Sequence, residues 1–210
     1  MALDIQVLHD LSSQFDYIKL MGVLKKYTRP TDQVTKLIRA GKVIRVKKGV
    51  YVLGPEFRKP YSTEVLANMI YGPSYVSGLS ALSFYNLIPE RLETVSSRKP
   101  NRNKIFDTPI GRFTYQAIPL ERYCISVDLV ELSAQKSFLI ATKEKALVEL
   151  TTGIKEIQSC GDLMEWLESM RIDSSTLSKL RQSELKSLRS VFKKPQVDFL
   201  IELVRKAKHA

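Results

Sequence analysis

The stretch TRPTDQVTKLIRAGKVIRVKKGVYVL, which runs from Thr28 to Leu53, decides the fold of the first part of this chain. Its first half carries apolar residues at helical spacing, which are Val34, Leu37 and Ile38. They follow Pro30, a residue that suits the first turn of a helix. Thr31 or Asp32 is expected to cap this helix, and Gly41 to end it.

The second half of the stretch alternates apolar and polar residues around Lys47-Lys48-Gly49. A glycine that can adopt a positive φ lets the chain reverse direction, so residues 43–53 are predicted to form a tight β-hairpin. The stretch therefore predicts a short helix followed by a basic hairpin. This order is typical of a winged helix-turn-helix.

The face of this helix opposite the apolar stripe carries polar and basic side chains. A helix of about ten residues fits the major groove of DNA, and a hairpin with lysines at its tip can lie against the neighbouring backbone. Lys36 and Arg39 are expected to probe the major groove, and the hairpin cations to neutralise phosphates. The full set of expected DNA-binding residues is Gln33, Thr35, Lys36, Arg39, Lys42, Arg45, Lys47 and Lys48.

The alternative is a solvated helix beside an ordinary hairpin. The charge distribution argues against it, because residues 17–60 contain twelve Lys or Arg and only two acids, Asp32 and Glu56. The whole chain has a formal net charge of +11, which favours a polyanionic partner. DNA binding is therefore the preferred interpretation.

A length of 210 residues permits two small domains with real cores. The fold expected is α+β, with a winged helix-turn-helix over residues 1–60 and a C-terminal domain over residues 61–210. No apolar run approaches the roughly 20 residues that a membrane span needs, and the N-terminus does not resemble a signal peptide. A cytoplasmic location without membrane contact is expected. Cys124 and Cys160 are expected to be free thiols rather than metal ligands.

Two helices are expected before the central stretch. The first carries an apolar stripe of Leu3, Ile5, Leu8 and Leu11. The second runs from about Phe15 to Tyr27, with Ser13 and Asp16 spaced as a capping box. After the hairpin, Ser62 or Thr63 should cap a helix that reaches Ile70.

The C-terminal domain is expected to contain a further helix near residues 77–85 and then a small antiparallel sheet. The strands of this sheet are predicted around residues 94–96, 105–106 and 112–115 from their alternating pattern. Four cations lie between the first two strands, in a loop that is either simply solvated or a second site for a polyanion or a protein partner. They are Arg98, Lys99, Arg102 and Lys104.

The last third of the chain is expected to be helical. Thr142 should cap a helix that ends before Gly153. Glu144 and Glu149 are five residues apart on this helix, so they do not share a face, and both are expected at the surface. A further basic set follows at Lys136, Lys143 and Lys145. Pro195 is expected to open the last helix.

Two phrases of the C-terminal domain carry a resemblance to a known family. Pro73-Ser74-Tyr75, with Ser77, and Leu87-Ile88-Pro89-Glu90 resemble a signature of the AbiEi family of bacterial type IV antitoxins. The KKGVYVL hairpin, FDTPIGRFTYQAIP at residues 106–119 and IATKEKALVEL at residues 140–150 fall in the order that this family has. The resemblance spans about residues 30–150.

The resemblance implies a function for both domains. The N-terminal domain would bind inverted repeats in the protein's own promoter as an autorepressor. The C-terminal domain would counter a nucleotidyltransferase-type toxin encoded beside it. A solitary regulator without a toxin, or a basic module that binds RNA or an acidic protein, is the alternative.

Enzymatic function is not expected from the motifs. The phosphate-binding patterns GxxxxGK[ST] and GxGxxG are missing from the sequence. Gly78-Leu-Ser-Ala-Leu lacks the second glycine of a nucleophile elbow, and neither His9 nor His209 is placed to activate Ser80. No catalytic residue, metal ligand or cofactor is therefore assigned.

Overall fold

The computed structural model describes residues 6–90, 92–133 and 136–209. Helix α3, Pro30–Arg39, has the length and position that the sequence predicts. Its N-cap is Arg29, without a side-chain hydrogen bond, so the expected cap by Thr31 or Asp32 is wrong. Both residues already lie inside the first turn. Gly41 adopts a φ of +69° just after the helix, as a C-terminal glycine does.

Strands β2, Val43–Lys47, and β3, Val50–Leu53, form the predicted hairpin, and Gly49 at its tip has a φ of +91°. A third strand, β1 at Gln14–Asp16, pairs antiparallel with β3 to give the order β1-β3-β2. The sequence pattern placed Phe15 in a helix, which is wrong because Phe15 is a fully buried strand residue.

Two helices precede α3 in the described residues, α1 at Gln6–His9 and α2 at Tyr17–Leu24. The expected capping box does not form, because Asp16 itself caps α2 by accepting a hydrogen bond from Lys19 N. Ser13 instead donates its hydroxyl to Gln14 Oε1 at 2.7 Å. The first predicted helix lies partly in residues 1–5, outside the described residues.

The second part of the chain is built on a six-stranded mixed sheet of order β6-β7-β5-β4-β9-β8. Its strands are β4 Tyr75–Val76, β5 Thr94–Lys99, β6 Lys104–Thr108, β7 Gly111–Ala117, β8 Val127–Ser133 and β9 Lys136–Ala141. The three predicted strands are confirmed as β5, β6 and β7, but the sheet is larger than predicted and only partly antiparallel. Strand β7 returns beside β5 in the parallel sense, and β4 pairs parallel with β9.

Helices cover this sheet and form the C-terminal end. They are α4 Thr63–Ile70, α5 Gly78–Phe84, α6 Leu120–Tyr123, α7 Lys143–Thr151, α8 Cys160–Ser169, α9 Ser174–Ser178, α10 Gln182–Phe192 and α11 Pro195–His209. The predicted caps are confirmed for α4 and α7, where Ser62 and Thr142 accept hydrogen bonds from backbone amides. Pro195 opens the last helix, as its position predicted.

Two hydrophobic clusters meet at the hairpin. The smaller one joins α3 to the sheet through residues such as Val34, Leu37 and Tyr51. The larger one contains the six-stranded sheet and its helices, and it also includes Val50 and Val52 of β3. Strand β3 is thus buried on both faces. The fold is α+β, and none of the described helices is long and apolar enough to cross a membrane.

Candidate nucleic-acid interface

The outer face of α3 is a row of polar and basic side chains. Thr35, Lys36 and Arg39 are exposed, and Gln33 is half-buried. The helix is held on its other side by Val34 and Leu37, which share a cluster with the sheet. The packing therefore fixes which face of α3 meets solvent.

A shallow pocket of about 320 Å³ lies at the start of α3. Arg29 and Asp32 approach to 4.0 Å on its wall, and both side chains are largely exposed. Such a pair contributes little to stability because water and salt screen it. Both groups are therefore available to an incoming ligand, as is Lys36 on the same wall.

Two of the four cations in and beside the hairpin are exposed, and the other two have partners within the chain. Arg45 and Lys48 are exposed. Lys42 forms an ion pair with Glu56, so its charge is already partly neutralised within the chain. Lys47 is half-buried and turns towards the second part of the chain, where its Nζ donates a hydrogen bond to Ile70 O at 2.8 Å.

The four cations expected in one loop occupy different environments. Arg98 and Lys99 belong to β5, and Lys104 begins β6, so only Arg102 lies in the connecting turn. Lys99 Nζ lies 3.8 Å from the centre of the Tyr71 ring. Arg102 and Lys104 are exposed.

Arg98 is half-buried and turns towards a buried carboxylate. Its Nε donates to Glu149 Oε2 at 3.1 Å, and its Nη1 also donates to Gln116. The Glu149 side chain is 1% exposed. An arginine bound to a buried carboxylate is costly to withdraw, so Arg98 is held away from any external anion.

Glu149 is the centre of a buried polar cluster that the sequence pattern missed. Tyr75 donates its hydroxyl to Glu149 Oε1 at 2.6 Å, and Ser77 donates to the other oxygen. Lys145 Nζ lies 3.7 Å from the same carboxylate. Burial and the adjacent Glu149 charge raise the pKa of Tyr75, so its hydroxyl stays protonated.

Lys145 is itself fully buried, and its three donors are used internally. It donates to Arg122 O at 2.7 Å, Tyr123 O at 3.1 Å and Ile125 O at 2.7 Å. Lys145 is therefore not available to an external anion as a member of the further basic set, and the expected surface positions of Glu144 and Glu149 are wrong. Glu144 is also buried, where it accepts hydrogen bonds from the backbone and side chain of Arg181.

The cluster joins two of the phrases on which the family resemblance rests. Tyr75 and Ser77 come from the first phrase, and Lys145 and Glu149 come from the IATKEKALVEL phrase. Tyr75 and Ser77 donate hydrogen bonds to Glu149 and Lys145 forms an ion pair with it, so the cluster links the two segments inside the protein. Tyr75 lies on the two-residue strand β4 and Ser77 follows it, so no local pattern in the chain signalled that both hydroxyls meet one carboxylate.

Comparison with known proteins finds no matching family model and no matching curated protein. Within the described part of the chain, no group of three or more His, Cys, Asp or Glu side chains is arranged to hold a metal ion. Cys124 and Cys160 are free thiols.

Proposed function

We propose that this chain is a DNA-binding repressor of its own promoter, with α3 in the major groove and the hairpin on the adjacent backbone. The observation that carries the proposal is the exposure of Lys36 and Arg39 on α3 together with Arg45 and Lys48 on the hairpin. The order of α2, α3 and a hairpin whose sheet is completed by β1 supports a winged helix-turn-helix. The net charge of +11 supports a polyanionic partner.

We also propose that the second part of the chain acts as an antitoxin against a nucleotidyltransferase-type toxin. This part of the proposal rests on the resemblance to the AbiEi family. Co-expression with the gene encoded beside it tests the activity. Growth restored by residues 1–210 but not by an empty vector would support it, and continued toxicity would contradict it.

Fluorescence anisotropy with the promoter duplex and a scrambled copy, at two salt concentrations, tests the DNA-binding proposal. A specific repressor is expected to prefer its own duplex by about 4–10 kcal/mol, and its affinity should fall steeply with salt. Equal binding of both duplexes would favour a general polyanion or RNA-binding module. Absence of binding to either would contradict the interface itself.

A further inference from the structure

The hairpin is seated against the second part of the chain instead of projecting freely. All four residues of β3 are buried. Val46, Val50 and Val52 share a hydrophobic cluster with residues of α4, including Leu66 and Ile70. The position of the hairpin tip is therefore determined by elements outside the N-terminal sheet.

Lys47 contacts a carbonyl and two aromatic rings at this junction. Besides its hydrogen bond to Ile70 O, its Nζ lies 4.6 Å from the centre of the Phe106 ring and 5.8 Å from that of Tyr71. Both distances are within the range of cation–π attraction. The ammonium is thus satisfied by a carbonyl and two rings.

The two rings that receive Lys47 are themselves fixed. Tyr71 and Phe106 lie 5.7 Å apart, and each packs edge-on against Tyr115. Tyr115 is buried, and its hydroxyl donates to Ala67 O at 2.6 Å. This hydrogen bond ties the ring group to α4, so the receptor for Lys47 is part of the rigid core.

A second positive charge lies close to Lys47 at this junction. Lys104 Nζ lies 6.0 Å from the centre of the Phe106 ring that Lys47 also contacts. Burial and the nearby Lys104 charge lower the pKa of Lys47. A lysine that served only to neutralise external phosphate would be better placed in water, as Lys48 is.

We propose that Lys47 is a positioning residue for DNA binding, which pins the hairpin tip to the Tyr71–Phe106 ring pair so that Lys48 and Arg45 are presented beside α3. The inference rests on the proposed DNA-binding function. It assigns the second part of the chain a role in DNA affinity that needs no contact between these rings and DNA.

Amide hydrogen exchange tests, without DNA, whether Lys47 holds the hairpin tip against the second part of the chain. Tyr17 N donates to Gly49 O at 3.0 Å, so the Tyr17 amide reports on the hairpin tip. Lys47→Met keeps an apolar stem but removes the ammonium, and exchange at Tyr17 and along β3 should accelerate about 5- to 30-fold. Lys48→Met is the matched control and should leave exchange unchanged. Equal exchange in the two variants would show that Lys47 does not hold the hairpin tip in place and would overturn the inference.

A double-mutant cycle on DNA affinity tests whether this contact positions Lys48 for DNA binding. Phe106→Leu removes the ring that Lys47 covers, and Lys48→Ala removes an exposed cation. If the ring positions Lys48, the loss caused by Lys48→Ala should be at least threefold smaller in the Phe106→Leu background. Ile105→Ala, on the opposite face of the same strand, is the control and should not alter the loss.

The outcomes separate the inference from the function on which it rests. Strictly additive losses would overturn the positioning role. A salt slope that falls by about one in Lys47→Met, without faster exchange, would make Lys47 a direct phosphate contact and also overturn it. No binding by the unaltered protein would instead contradict the proposed function, and the exchange result would still decide whether Lys47 seats the hairpin.

Discussion

Charged residues in this protein are expected to differ greatly in their contribution to stability, and burial decides the size of that contribution. Glu149 is buried with four donors around it, whereas Asp107 pairs with Arg112 at 3.3 Å on an exposed part of β6 and β7. Removing one member of a buried charge cluster leaves the others without compensation, whereas an exposed pair is screened by water.

Replacing Glu149 with Gln is therefore expected to destabilise the protein strongly. The loss should be about 3–5 kcal/mol, because Arg98 and Lys145 would lose the buried carboxylate that compensates their charges. Urea unfolding followed by circular dichroism measures it. Asp107→Asn is the control and should change stability by no more than about 1 kcal/mol. Similar losses in both variants would contradict the buried cluster.

The pH dependence of stability should contain a contribution from Lys145. Burial lowers the pKa of Lys145 to about 8, and the attraction of Glu149 only partly opposes this effect. The unfolded chain has the higher pKa and therefore holds more protons between about pH 8 and 10.5. In that window the Lys145 contribution to stability rises with pH, by up to about 3 kcal/mol.

The difference in unfolding free energy between the unaltered protein and Lys145→Met isolates this contribution. It should shift in favour of the unaltered protein as the pH rises from about 8 to 10.5. Subtracting the variant cancels the titration of tyrosines and other lysines. A difference that stays constant would show that Lys145 keeps its ordinary pKa, and a shift in the opposite direction would show that folding raises it.

Two cations at the candidate interface should affect DNA binding in different ways. Lys48→Ala is expected to weaken all duplexes equally and to reduce the salt slope by about 0.9, as loss of one phosphate contact does. Arg39→Ala is expected to relax preference at particular base pairs by about 1–3 kcal/mol. Anisotropy titrations with substituted duplexes separate the two. Uniform weakening by Arg39→Ala would make it a backbone contact.

Two glycines in this chain differ in the space available for a side chain. A Cβ added to Gly54, just after β3, would lie 2.1 Å from Gly41 O. A Cβ added to Gly22, inside α2, would meet nothing within 4 Å. The turn after α3 and the end of β3 can approach closely only because Gly54 has no side chain.

Alanine at these two glycines should change stability with opposite signs. Gly54→Ala is expected to lower the free energy of unfolding by about 1–3 kcal/mol, since the backbone of the neighbouring turn must move. Gly22→Ala should stabilise the protein by about 0.5–1 kcal/mol, because alanine favours a helix more than glycine does. Thermal unfolding of the two variants checks both signs. Destabilisation by Gly22→Ala would contradict an unobstructed helix face.

Elements governed by local chemistry were predictable from the sequence, and elements that depend on distant partners were not. The Ser62 and Thr142 caps and the Gly49 turn involve residues a few positions apart, so their patterns are visible in the chain. Strand β4 has only two residues and exists because β5 and β9 flank it. No local pattern could reveal it.

The same distinction applies to the candidate site. The exposed face of α3 follows from helical periodicity, so Lys36 and Arg39 were placed correctly in the open. The environment of Lys47 depends on rings at positions 71 and 106, which only the tertiary fold brings together. Adjacent lysines in the sequence therefore have different surroundings in the structure.

At the scale of the whole molecule, β3 belongs to two cores at once. A fragment ending at residue 60 would leave Val46, Val50 and Val52 facing water, each having lost about 1.5–3 kcal/mol of burial. Such a fragment should be poorly soluble and unfold at lower urea concentration than residues 1–210. A soluble fragment with unchanged stability would show that the shared strand is dispensable.

The shared strand also constrains how such a protein can change over time. Because one strand serves both halves, the N-terminal half should not be exchangeable for another by simple recombination at the connection after the hairpin. The incoming half would need matching valines on its outer face. Under the proposed function, new DNA preferences should therefore arise by substitutions on the surface of α3, while the two halves are inherited together.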